Sequence, residues 1–136
     1  MLGNVLSAGA LGVKLIGESL PLETLANVTE EANKMEAYVA LDCDATPKGS
    51  NIQGLREAVE IVRSDLNIHI AHINSYCRGQ VNDPVEEDLE ALSLLKGKRN
   101  IQSELYLGII NGTLGECVNG IPTNGVTQDC LRLGGY

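Results

Sequence analysis

The sequence predicts an α/β protein: four consecutive βα units on one parallel sheet, the equivalent of half a TIM (β/α)8 barrel. Three observations carry that expectation. Four short β-branched or continuously apolar runs are each followed by a segment with helical periodicity. The runs recur about every 30 residues, the spacing of a βα unit, and right-handed crossovers then make the strands parallel. The chain of 136 residues fits a single domain, 1–136, about half the roughly 250 residues of an eight-unit barrel.

Taken in order, Gly12-Val13-Lys14-Leu15-Ile16-Gly17 is the first strand, after residues that read as the end of a helix. Ser19 and Pro21 open a helix whose apolar side holds Leu22, Leu25, Ala26, Ala32 and Met35. The second strand, Ala37 to Asp42, is nearly continuous apolar sequence, as a buried parallel strand shows. A polar loop, Cys43 to Gly49, precedes a second helix with Ser50 and Gln53 at capping-box spacing and Ile52, Leu55, Val59 and Val62 on its apolar face, running to about Asp65.

The third strand lies in Asn67-Ile68-His69-Ile70-Ala71-His72-Ile73, which passes into a polar segment holding Ser75, Tyr76, Cys77 and Arg78. Asp83, Pro84 and Glu86 supply an N-cap, an N1 proline and a capping box for a third helix. Val85, Leu89 and Leu92 mark the side of it expected to be buried, acids at 86 to 88 suit its positive end, and it stops near Gly97. Asn100 to Leu107 is the fourth strand. A Gly/Asn-rich loop, Gly108 to Asn124, leads to a short last helix with Val126, Cys130 and Leu133.

Composition narrows the function classes. With 43% apolar and 21% charged residues the chain is an ordinary globular protein, and without Trp or Phe its core rests on Leu, Ile, Val and Ala. A net charge of -8 without a Lys/Arg cluster disfavours nucleic acid and anionic membrane as partners. No apolar run approaches the ~20 residues of a membrane span. The first residues lack a basic region and are interrupted by Lys14, so no signal peptide is expected. Cysteines at 43, 77, 117 and 130 form no CxxC pair, which suggests reduced thiols in a cytoplasm.

Chemistry, if the chain carries any, belongs at the carboxyl ends of the strands, where βα folds place their sites. His72 sits there and is suited to bind a metal or move a proton, or else to be satisfied in the core. His69, three residues earlier, faces the opposite side if the strand continues, so the two rings would not share an ion. Lys14 interrupts an apolar strand and needs a partner, a job or an edge facing solvent. Asp42 and Asp44, two apart, suit a hard cation or general-base work, and equally a turn or helix cap. Glu104 is a charge in the fourth strand, solvent-facing or paired. Cys43, Cys77 and Cys117 follow strands and would gather on one face, a weak pointer to zinc. No glycine pattern supports nucleotide binding.

These residues, in this order, resemble the amidohydrolase superfamily, the metal-dependent barrel hydrolases, with the D-aminoacylase, hydantoinase and dihydroorotase branch nearest. Gly12 to Ile16 looks like barrel strand four with its carboxylated, metal-bridging lysine at Lys14; Ala37 to Asp44 looks like strand five. Ile68 to Ser75 is similar to strand six, with its metal-binding histidine at His72, and Gln102 to Leu107 to strand seven. The resemblance implies one or two divalent metals, usually zinc, which would activate water and polarise the carbonyl of a small-molecule amide such as an N-acyl amino acid. Lys14, His72 and Asp42 would then be metal ligands, Asp42 and Asp44 catalytic, and Ser75, Tyr76, Arg78 and Glu104 substrate contacts, Arg78 as a carboxylate clamp.

There are departures. The family's fifth strand carries a His-x-Asp pattern where this chain has Asp42-Cys43-Asp44. The His-x-His pair of the family's first strand and the Asp of its last have no counterpart. The chain therefore reads as the middle four units of a longer enzyme, with little activity alone. The alternative is a non-catalytic βα half-barrel module that self-associates through exposed sheet edges or binds a partner.

Overall fold

The computed structural model of the protein describes residues 2–16, 20–42, 45–62, 65–105, 116–123, 127–128 and 131–132. Two compact units divide the chain, Met1–Leu105 and Tyr106–Tyr136. In the first, helix α1 (Leu2–Ser7) leads into β1 (Gly12–Leu15), followed by α2 (Leu22–Lys34), β2 (Tyr38–Leu41), α3 (Ile52–Ile61), β3 (Ile68–Ile70), a 3-10 turn at Ile73–Tyr76, α4 (Pro84–Leu95) and β4 (Ile101–Ser103). All four strands are parallel and lie in the order β1-β2-β3-β4. This is the α/β alternation expected from the sequence.

Sequential order with right-handed crossovers puts α2, α3 and α4 on the same face of the sheet. Register makes the consequence concrete. Leu15 pairs with Leu41, Leu41 with Ile70 and Ile68 with Ile101. These residues form one core with Leu25 and Ala32 of α2, Ile52, Leu55, Ala58 and Val59 of α3, and Ala91 of α4. The alternate row, Lys14, Ala40, His69 and Gln102, points the other way, where none of the described helices of the first unit lies. Tyr38 shares that bare face and is exposed. Among the described residues of the first unit the second strand is therefore covered on one side, not on both as its apolar run suggests, because every crossover lies on the same side.

Local chemistry explains the boundaries. In α2, Thr29 is fully buried because its hydroxyl donates to the Leu25 carbonyl at 2.7 Å, and Met35 lies past the last turn and is exposed. α3 is capped by Asn51 and not by Ser50: the extended Asn51 backbone lets its side-chain oxygen accept from the N–H groups of Gln53 at 2.8 Å and Gly54 at 3.3 Å. α4 opens as expected, with Asp83 accepting from the Val85 N–H at 2.9 Å and Pro84 at the first helical position.

The buried side of α4 is not the expected one. Val85, Leu89 and Leu92 are exposed, and the face against the core carries Glu87 and Ala91. Glu87 is fully buried because its carboxylate accepts from the N–H groups of Gly79 (2.7 Å), Val81 (2.9 Å) and Asn82 (2.9 Å). A carboxylate satisfied by three backbone donors can sit inside a protein, and it decides which way the helix turns. Arg56 of α3 clamps α4 from the side with a forked pair to Glu90 at 2.5 and 2.9 Å.

In the second unit, β5 (Cys117–Val118) and β6 (Ile121–Pro122) form a hairpin inside the expected loop. Its turn is Asn119-Gly120, both at positive φ (54° and 80°), the pairing that favours a two-residue hairpin. Of the expected last helix, Thr127, Gln128, Leu131 and Arg132 are helical, while Val126, Cys130 and Leu133, like Tyr106 and Leu107 at the end of the fourth strand, lie outside the described residues.

Candidate functional site

The carboxyl ends of all four strands contribute to one cluster of charged side chains. From β1, Lys14 reaches its Nζ to within 2.8 Å of Asp42 Oδ2 at the end of β2. The other carboxylate oxygen of Asp42 stands 3.1 Å from His72 Nε2, just beyond β3. On the far side of that ring, His72 Nδ1 lies 3.7 Å from Glu104 Oε1, after β4. The second oxygen of Glu104 pairs with His69 Nε2. The order Lys14, Asp42, His72, Glu104, His69 is thus a continuous alternation of cation or imidazole with carboxylate.

The backbone at His72 makes this possible. β3 ends at Ile70, and His72 adopts a left-handed conformation, φ 37° and ψ 66°. Such a conformation costs a non-glycine residue on the order of 1 kcal/mol and is held only where other contacts fix it. Here the His72 N–H donates to Glu104 Oε1 at 2.9 Å, its carbonyl accepts from the Ser75 N–H at 2.8 Å, and the Ile73 N–H donates to the Glu104 carbonyl at 2.8 Å. The bend brings both histidines onto one carboxylate. This corrects the expectation that the rings face apart: it holds only along a continuing strand, and the strand has ended.

Electrostatics follow from the contacts. Burial pushes the Asp42 carboxyl up, but hydrogen bonds and charge from Lys14 and His72 together outweigh it and hold the group below the ordinary carboxylate range. Burial likewise works against ionised Glu104, and the His72 N–H and the His69 ring overcome it, so its carboxyl is also lowered. Asp42 is only 6% exposed. Lys14 and Glu104 are about half exposed, so the cluster opens to solvent at its ends and is closed at its centre.

Among the residues singled out in the sequence, Lys14, Asp42, His72 and Glu104 are brought together. Ser75, Tyr76 and Arg78 are placed inward. Tyr76 is fully buried in the core, Ser75 is buried, and the buried Arg78 donates its Nη2 to the Ser50 carbonyl at 2.9 Å. Asp44 and Cys43 lie outside the described residues. Cys77 is half-buried, and burial first, then the Asp88 carboxylate, push its thiol up to about 12, so it is a poor thiolate ligand. Among the described residues no group of three His, Cys, Asp or Glu stands ready-made to hold a metal.

His69 joins the cluster although no sequence pattern points to it: it shares a face of the sheet with Lys14 through the register of β1, β2 and β3. A cavity of about 200 Å³ lies at the opposite, amino-terminal end of that face, lined by Tyr38, Asn67, His69, Arg99, Asn100 and Gln102. Of the charged cluster, only His69 borders it.

The donor set can be tested against a divalent cation. His72 offers Nε2 on the side of Asp42; its Nδ1 lies 3.7 Å from Glu104, beyond hydrogen-bond length, so Glu104 holds His72 through the backbone N–H. Asp42 and His72 fit as ligands. Lys14 as an ammonium does not, and fits only if carboxylation converts its amine to an oxygen donor.

The fold and cluster define an α/β protein with a strand-end site of imidazole, carboxylate and lysine. No family model, curated protein or solved structure matches the chain. No helix among the described residues is long and apolar enough to cross a membrane.

Proposed function

We infer that this chain carries part of the active site of a metal-dependent hydrolase that cleaves non-peptide C–N bonds in small amides such as N-acyl amino acids. One observation supports the reading above others: Lys14 and His72, which the resemblance implies are metal ligands, meet on the carboxylate of the third implied ligand, Asp42, at 2.8 and 3.1 Å. The bare face with Lys14, Tyr38, His69 and Gln102 is the surface that further βα units would enclose in a barrel.

A divalent cation, zinc by the resemblance, would supply Lewis acidity toward water and an amide carbonyl. The chain's own residues do the rest. Asp42 would be a ligand and, held ionised, the acceptor for a proton from water. His72 would be a ligand through Nε2, which would give up the proton it shares with Asp42, while Glu104 holds the residue in place through its backbone N–H. His69 secures the second oxygen of Glu104 and so fixes the orienting group. Lys14, if it stays an ammonium, keeps Asp42 ionised; if carboxylated, it joins the ligands.

The test is elemental analysis of the purified chain after zinc loading in bicarbonate buffer and desalting, with His72→Ala and Asp42→Asn as controls. Near-stoichiometric zinc that either substitution removes supports the reading, with little amide hydrolysis expected from this chain by itself. Zinc-free protein, or zinc indifferent to both substitutions, overturns it. The edge strands β1 and β4, unpaired on their outer sides among the described residues, would then favour the second reading, a non-catalytic module that pairs through its sheet edges.

A further inference from the structure

Helix α4 presents its apolar stripe outward. Val85, Leu89 and Leu92 are 64%, 63% and 66% exposed. Their spacing of four and then three residues, continued by Lys96, is the a/d seam of a paired helix. The opposite side, with Glu87 and Ala91, is fixed to the core by the three backbone bonds to Glu87 and the fork from Arg56 to Glu90. The helix cannot roll to bury its leucines without breaking both attachments. A stripe of this kind on a rigid helix is an interaction surface.

Charge along the helix selects the occupant. The amino-terminal half carries exposed Asp83, Glu86 and Asp88, and the carboxyl end carries exposed Lys96, Lys98 and Arg99. Two such helices laid antiparallel place the acidic end of each beside the basic end of the other, and parallel pairing would set like against like. The seam has the same symmetry. Pairing Leu89 with Leu92 and Val85 with Lys96 across a two-fold axis is self-consistent, as an isologous contact must be. The Lys96 stem then covers Val85 while its ammonium reaches Glu86.

We propose that the outer face of α4 is a homodimer surface, two copies of this chain joined by antiparallel α4 helices across a two-fold axis. This contact is separate from the sheet edges and independent of the hydrolase reading. With 12 residues, α4 is only about 18 Å long. The contact is therefore small, and the dimer is concentration-dependent.

Sedimentation equilibrium of the whole chain over a wide concentration range tests the proposal. A reversible monomer–dimer equilibrium is expected. Leu89→Glu, at an exposed position that folding does not need, should raise the dissociation constant at least about tenfold, and Leu92→Ser should act in the same direction. Lys96→Glu alone should weaken the dimer, and Glu86→Lys combined with Lys96→Glu should restore it. Far-UV circular dichroism identifies variants that fail to fold. A monomer at every concentration, whether α4 is covered by another segment of the chain or left bare, overturns the proposal. So does a dimer indifferent to Leu89→Glu, which points to the sheet edges, and so does a charge swap that fails to recover association.

Discussion

Two buried carboxylates, Asp42 and Glu87, solve the same electrostatic problem in different ways. Glu87 is fully buried and gives its oxygens to three backbone N–H groups of one loop, so its charge is used up in fixing the segment before α4. Asp42, nearly as buried, gives its oxygens to Lys14 and His72, side chains from two other strand ends that can themselves change protonation or bind a ligand. The partners of a buried acid therefore say more about its role than its burial does. Backbone donors mark architecture, and titratable side chains mark a site where chemistry is available.

The contrast predicts opposite responses. Glu87→Ala should be the most damaging change, about 3 kcal/mol of stability, because three donors lose their acceptor and a cavity opens. Denaturant unfolding measures this, and the milder Glu87→Gln should retain zinc to the extent that wild type does. Loss of metal with Glu87→Gln would erase the distinction.

Also on the helix side, Gly54→Ala should destabilise by about 2 kcal/mol, against the roughly 1 kcal/mol that helix propensity alone would gain. An added Cβ would lie 1.9 Å from the Gly49 carbonyl oxygen, so the backbone would have to shift. A stabilised variant would show that α3 is less tightly seated than the structure places it.

Asp42→Asn should cost only about 1 kcal/mol, since Lys14 is half exposed and its pair is screened, yet it should abolish zinc retention. The pH dependence sharpens this point. Because its folded carboxyl is held below the ordinary value of 3.8, Asp42 contributes stability that is fully present above that value and is lost as pH falls through the lowered folded value. Glu104 acts in the same direction. Unfolding free energy measured from pH 6 down to 2 should fall steeply at the acid end, and less steeply in Asp42→Asn.

The smallest effect concerns Cys77. With its thiol pushed up to about 12, it should resist alkylation at pH 8 in the native state, while the exposed Cys117 reacts. Peptide mapping after a short iodoacetamide pulse distinguishes the two. Equal labelling would place Cys77 in a more open setting than its packing indicates.

Much of the fold was legible. The Asp83-Pro84 start of α4 depends on side chains next to their own backbone, and so it can be read from local sequence. The Asn51 cap of α3 and the Asn119-Gly120 hairpin are equally local, but each rests on one or two residues and not on a periodic pattern. The inverted face of α4 was not legible. Hydrophobic spacing shows that a helix has an apolar side but not which neighbour claims the other, and Glu87 is held by a loop whose path no local pattern encodes.

The same division runs through the site. By itself the sequence determined that Lys14, Asp42, His72 and Glu104 stand near strand ends, because β periodicity and parallel topology place them there. Only the tertiary structure decided that they form one chain of contacts with His69, because that depends on a left-handed bend at His72 and on the register of β3 against β4. Register and bend are settled by contacts between residues about 30 positions apart, among them His72 and Glu104. No pattern confined to a single segment contains them.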